Sequence, residues 1–126
     1  MKKILIVLAD YYKDISLSLL NNAKQNLKNY SIKVIKVPGV FEIPVTISKN
    51  IKKYDAFIAL GCVIKGQTPH FDFISSSTTD AIMNISVNNR KPIGNGIITC
   101  LNMKQAKARG KKGKEASKAV ISILSQ

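Results

Sequence analysis

The sequence predicts an α/β domain in three layers, a four-stranded parallel sheet with helices on both faces. Three observations carry this. Four short apolar or β-branched runs are each closed by turn-forming residues, each run is followed by apolar residues at helical spacing, and 126 residues leave room for one domain, 1–126, and not for two. An apolar share of 45% is enough to fill a core of that size.

The elements follow in order. Ile4 to Leu8 is a short apolar run read as the first strand. The opening MKKILIVLAD has the look of a secretory signal, but the run ends at Asp10, lacks a small-residue cleavage site and is far too short to cross a bilayer. Ile15, Leu19, Leu20, Ala23 and Leu27 then mark an amphipathic helix. Lys33 to Val37 alternates polar and β-branched residues and is closed by Pro38 and Gly39; Ile43, Ile47 and Ile51 begin the next helix, with Pro44 tolerated in its first turn. Ala56 to Leu60 is a third strand, expected to end at Gly61. Phe71, Ile74, Thr78, Ala81, Ile82 and Ile85 give a third helix, with Thr68 as its N-cap and Pro69 as its first residue. Pro92 precedes a fourth strand, Ile93 to Cys100. The last helix places Ala116, Ala119, Val120, Ile123 and Leu124 on one face, with Gly110 and Gly113 interrupting its start. Strand and helix alternate four times, which requires right-handed crossovers and a flavodoxin-like sheet. A sheet this narrow buries a modest fraction of its surface, and association with further copies is a natural remedy.

Composition removes several function classes. The two cysteines, Cys62 and Cys100, lack CxxC spacing and read as small buried hydrophobes in a reducing, cytoplasmic compartment. One histidine and no Cys or His cluster give no recognisable zinc spacing, so no metal is expected. The net charge of +13, from 20 Lys and Arg against 7 Asp and Glu, would suit nucleic acid or anionic substrates. The lysines are dispersed, densest from Lys104 to Lys118, and read mainly as solvated surface; a basic polyanion or RNA-binding module stays as the alternative function.

In open α/β sheets ligands bind beyond the carboxyl ends of the strands. The residues there are Asp10, Tyr11 and Tyr12 after strand one, Pro38 to Glu42 after strand two, and Gly61 to His70 after strand three. Gly66, Gln67 and Thr68 lead into a helix start, where free N–H groups favour a phosphate, and Arg109 is the expected guanidinium partner. The two-glycine spacing resembles a nucleotide-binding loop, but Gln67 stands where its lysine must be. His70 falls in the first turn, where the positive end of the dipole favours a neutral ring able to take a proton; the plainer alternative is a surface histidine near a cap. Tyr11 and Phe41 are either faces for a flat heterocycle or core residues, and Glu42 either matches the helix dipole or accepts hydrogen bonds from hydroxyls.

The wording of three loops is more specific. Val37-Pro38-Gly39-Val40-Phe41-Glu42-Ile43-Pro44 resembles the PGAFEIP motif of lumazine synthases, and Leu60 to Phe73 resembles their LGxVIRGxTxHxDY motif. Pro92 to Thr99, followed by Gln105-Ala106, Arg109 and Lys112-Gly113, is similar to their fourth-strand and C-terminal pattern. Order and spacing hold from about Ile4 to Ile123.

The resemblance implies a transferase of riboflavin biosynthesis that joins 5-amino-6-ribitylaminouracil to 3,4-dihydroxy-2-butanone 4-phosphate, giving 6,7-dimethyl-8-ribityllumazine and phosphate without a cofactor. It implies a stacking role for Tyr11, pyrimidine and ribityl contacts from Val40, Phe41, Glu42, Cys62, Val63 and Ile64, a phosphate loop at Gln67 and Thr68, a charged clamp at Arg109, proton transfer at His70, and Lys112 near the pyrimidine. It also implies a site completed by the neighbouring subunit of a homopentamer, with small-molecule substrates and neither a membrane nor nucleic acid as partner. Lys65 replaces the usual arginine and loses its planar fork. Tyr11 stands for phenylalanine or tryptophan, Leu101 for an acid, and Asn95 for the substrate-binding aromatic that many members contribute across the subunit boundary. A catalytically weak, flavin-binding relative is therefore a further alternative. The start at the first core strand and the short segment between Arg109 and Lys112 favour a pentamer over a larger shell.

Overall fold

A computed structural model describes residues 1–126. Its strands are β1 (Lys3–Ala9), β2 (Ser31–Val37), β3 (Ala56–Ile64) and β4 (Ile93–Cys100). All pair in parallel, in the order β2-β1-β3-β4. The helices are α1 (Lys13–Lys24), α2 (Ile43–Lys49), α3 (His70–Asn89), α4 (Met103–Lys107) and α5 (Lys112–Leu124). This is the three-layer, flavodoxin-like arrangement.

The central strand explains the layers. Every residue from Ile4 to Ala9 is at most 2% exposed, so β1 reads as an unbroken apolar run because both of its faces are covered. Ile4, Ile6 and Leu8 point to a cluster containing Leu19 and Ala23 of α1 and Ala116 and Val120 of α5. Leu5, Val7 and Ala9 point to a second cluster with Ile43 and Ile47 of α2 and Ile82 of α3. Fully burying each Leu or Ile contributes about 1.5–3 kcal/mol before entropy is subtracted. The outer strand β2 instead exposes Lys33 and Lys36, charges that discourage further strands from adding at that edge.

Several local expectations change; α1 and α2 end before Leu27 and Ile51, which the spacing places on them. β3 does not stop at Gly61: β4 goes on pairing with it, Gly61 opposite Ile97 and Ile64 opposite Cys100, and the Lys65 N–H donates to the Cys100 carbonyl at 2.8 Å. Hydrogen bonding to a neighbour overrides the breaker residue. α3 begins at His70 with Pro69 in the cap position, one residue later than expected, although the Thr68 hydroxyl still accepts from the His70 N–H at 3.4 Å.

Gly113 does not interrupt α5 but lies inside it, packed against α1; a methyl group there would collide with the Leu19 carbonyl. The buried stripe of α5 is consequently Gly113, Ala116, Ser117 and Val120, and Ala119 and Ile123 are exposed. Helix α4 was not anticipated. Asn102 caps it by accepting from the Gln105 N–H at 2.9 Å, while the Gln105 side chain accepts from the Leu101 N–H at 2.8 Å. Reciprocal bonding of this kind resembles a capping box, so Asn-x-x-Gln was the available signal. No helix is long and apolar enough to cross a membrane.

Candidate active site

The carboxyl ends of β1, β2 and β3 open into a groove of about 620 Å³, closed on one side by the start of α3. Its position is fixed by main-chain bonds. The Asp10 N–H donates to the Val37 carbonyl at 3.0 Å, prolonging the β1–β2 ladder by one step. The buried Ser16 hydroxyl donates to the Ala9 carbonyl at 2.7 Å, tying the first turn of α1 back to the end of β1. Gly61 lets the turn after β2 press onto β3: a Cβ there would lie 2.8 Å from Val40 Cγ2 and 3.0 Å from Ala9 Cβ.

Tyr11, Val40, Phe41, Glu42, Cys62, Val63, Ile64 and His70 all line this groove. Tyr11 and Phe41 are 72% and 62% exposed, which decides between the two readings of these aromatics: they are surface faces and not core. Glu42 occupies the cap position of α2 yet makes no side-chain cap bond, so its half-buried carboxylate keeps its acceptor capacity for the groove. His70, the first residue of α3, is exposed at the mouth.

The inner wall is electrically quiet. Burial, and next to it the neighbouring Cys100, push the Cys62 thiol up to about 12, so it stays protonated in neutral solution. Burial also raises Tyr12, helped by Cys62 and Tyr11. The Cys62 thiol therefore faces whatever enters as a neutral group.

The remaining candidates lie elsewhere. Gln67 and Thr68 are exposed on the approach to α3 and outside the groove lining. Asn95, Arg109 and Lys112 line a different cavity of about 490 Å³, along β4 and the start of α5, which shares no residue with the groove. There the Arg109 guanidinium donates to the Thr99 carbonyl at 3.3 Å, and Asn95 Oδ1 accepts from the Ile97 N–H at 3.0 Å. One chain therefore gathers the aromatic, carboxylate and imidazole groups in one place and holds its two conspicuous cations in another.

Three groove residues, Tyr12, Gly39 and Ile74, carry no expected site role. Ile74 stands one turn after His70 on the same helix face, a spacing that would have found it. Tyr12 and Gly39 are signalled by their place just beyond strands one and two.

Comparison with known proteins identifies the family. Residues 1–126 match the protein family described as 6,7-dimethyl-8-ribityllumazine synthase. The chain is 41% identical to 6,7-dimethyl-8-ribityllumazine synthase 1 of Rhodopseudomonas palustris, over 97% of this chain and 83% of that one. It is 42% identical to the Bartonella bacilliformis enzyme of the same name over 89% of this chain and 78% of the other. With the Corynebacterium kroppenstedtii synthase it shares 38% identity over 94% and 80%. A match that spans the whole chain, carried through all four strands and the loops that build the groove, places this protein in the 6,7-dimethyl-8-ribityllumazine synthase family.

Proposed function

We propose that this protein condenses 5-amino-6-ribitylaminouracil with 3,4-dihydroxy-2-butanone 4-phosphate to 6,7-dimethyl-8-ribityllumazine, releasing phosphate and two molecules of water. The observation that carries the proposal is the groove itself: two exposed aromatic rings, a carboxylate with no cap bond and the only histidine converge on one opening.

Each group has a part suited to its chemistry. Tyr11 and Phe41 hold the pyrimidine by its faces, and the Glu42 carboxylate accepts hydrogen bonds from ribityl hydroxyls. Val40, Cys62, Val63 and Ile64 form a dry wall against which the ring lies. The pyrimidine amine attacks the ketone and water leaves as the imine forms; loss of the C3 proton then expels phosphate and leaves an enol, which tautomerises to a new carbonyl at C3, and the second nitrogen closes on that carbonyl with loss of the second water. His70 moves protons in these steps, and holding the two reactants together supplies much of the acceleration.

Gln67, Thr68 and the N–H groups at the start of α3 are suited to the phosphate, but no guanidinium of the same chain lines the adjacent groove. We assign the cation to Arg109, with Lys112 nearby, from an adjacent copy of the chain in a cyclic homopentamer. The support is the separation of the two cavities within one chain. Asn95, on the same rim as Arg109, then faces the heterocycle without an aromatic ring, leaving more of the stacking to Tyr11 and Phe41. Two free, buried cysteines fit work in a reducing cytoplasm. The test is direct: purified protein mixed with both substrates produces the lumazine chromophore faster than the spontaneous reaction. Folded protein that gives no acceleration overturns the proposal, and binding of the pyrimidine without turnover would mark a ligand-binding relative.

A further inference from the structure

The proposed stacking face raises a physical difficulty. Tyr11 is 72% exposed and sits in an irregular turn between β1 and α1, where a ring with two free torsions would have to be ordered each time a substrate bound. The structure supplies a neighbour able to order it beforehand. The Tyr12 ring meets the Tyr11 ring edge-on, with centroids 4.8 Å apart and planes at 78°. Tyr12 is itself well held: it is half-buried, packs on the core cluster beneath α1 and α5, and its carbonyl accepts from the Ser16 N–H at 2.9 Å. It also lines a smaller cavity of about 260 Å³ with Lys13, Ile15, Met103 and Lys107, so it borders two open spaces.

We infer that Tyr12 is a positioning residue for the pyrimidine site, its ring edge fixing the plane of Tyr11 so that the stacking face is formed before substrate arrives. The inference rests on the reaction proposed above and goes beyond it, because Tyr12 acts through Tyr11 and belongs to none of the three family-like loops. An edge-to-face pair is strong enough to shift affinity by about two- to tenfold. Its hydroxyl is not what matters, since the contact is made by the ring.

The test is a double-substitution cycle on the intact oligomer, with equilibrium binding of the ribitylaminouracil substrate as the readout. Tyr12→Leu lowers pyrimidine affinity about two- to tenfold, while the affinity for inorganic phosphate stays as in the wild type. Tyr12→Phe, which keeps the ring, binds the pyrimidine like the wild type. In a Tyr11→Leu background, Tyr12→Leu has no further effect, which a general structural role would not produce. An equal loss in both backgrounds, failure of Tyr12→Phe to restore affinity, or a Tyr12→Leu variant that binds as tightly as wild type overturns the inference while leaving the reaction in place. Wild-type protein that binds no pyrimidine overturns the reading of the reaction, and the inference with it.

Discussion

If Arg109 serves the groove of a neighbour, two crippled chains should repair each other. Tyr11→Ala/Phe41→Ala removes both stacking faces; these side chains are 72% and 62% exposed, so the core is left intact. Stacking of a base on an aromatic ring contributes about 1–3 kcal/mol per face, so the double variant loses roughly thirtyfold in pyrimidine affinity at the least. Arg109→Ala removes a charge-assisted contact to phosphate of about 1.5–3 kcal/mol, equivalent to roughly ten- to 150-fold. Each variant alone then retains a few per cent of wild-type activity at low substrate concentration. Co-expressed in equal amounts under two affinity tags and purified through both, they form mixed rings. A composite site draws its groove from one chain and its clamp from the next, and the chance that both are intact is one half times one half. Activity should therefore return to about one quarter of wild type. Variants purified separately and mixed without subunit exchange should show no such gain. If verified mixed oligomers stay at a few per cent, the clamp acts within its own chain, or is not a clamp, and the argument from the two separate cavities fails.

Three further outcomes follow from the same geometry. Gly113→Ala forces a methyl group against the Leu19 carbonyl and leaves its Cβ 3.2 Å from the Ala23 nitrogen. The main chain of α1 cannot yield as a side chain would, so despite the better helix propensity of alanine the urea midpoint should fall by the equivalent of about 2 kcal/mol; an unchanged midpoint would contradict the packing described. His70→Ala should lower kcat about ten- to hundredfold, toward the small end of acid–base effects because the condensation also proceeds unaided, with pyrimidine KM within about twofold. A large KM change with kcat preserved would make His70 a binding group. The Cys62 thiol, raised from an ordinary 9.0 to about 12, carries about a thousandfold less thiolate at pH 8 than the unfolded chain. Iodoacetamide should therefore label Cys62 in urea and spare it in the native protein, as read by mass spectrometry. Since the fold keeps a proton that the unfolded chain releases above pH 9, the contribution of this group to stability is complete below that pH and declines as the pH rises toward 12.

Much of this structure could be read from the chain because its strongest signals are local. β1 and β3 appear as unbroken apolar runs because each is covered on both faces, and β4 was bounded correctly from Ile93 to Cys100 by Pro92 and its own pattern. The groove residues were legible as well, since the rule that ligands sit beyond the strand ends already collects Tyr11, Phe41, Glu42 and His70. The failures share a different cause. Gly61 looks like a terminator until β4 is seen to pair beyond it, and Gly113 looks like a break until α1 is seen to press against it. Ala119 and Ile123 fit the helical repeat of α5 as well as Ser117 and Ile121 do, yet they lie on its exposed side. In each case the deciding partner is distant in sequence, and periodicity carries no information about it.

The distribution of exposed apolar side chains links catalysis to assembly. Tyr11, Phe41, Val45, Phe73, Met83 and Val87 are all more than half exposed, an unusual display for a chain that must also keep a binding groove from collapsing on itself. In the proposed ring, a subunit laid over these side chains would cover apolar area and deliver the cation in one event, so that the energy of assembly would also complete the phosphate site. In the proposed reaction a substrate held between two chains binds the assembled state and not the separated one, and by linkage it must tighten the assembly as the assembly tightens it. That bridge is temporary. Once the phosphate ester is cleaved, the clamp and the groove no longer hold parts of a single molecule, and the organic product keeps its contacts with the groove but not with the clamp. Arg109 should accordingly affect the capture of the phosphate substrate and the steps up to phosphate loss, whereas the final ring closure should depend on the groove, with Tyr11, Phe41 and Glu42 holding the ring and His70 moving the proton, and not on Arg109.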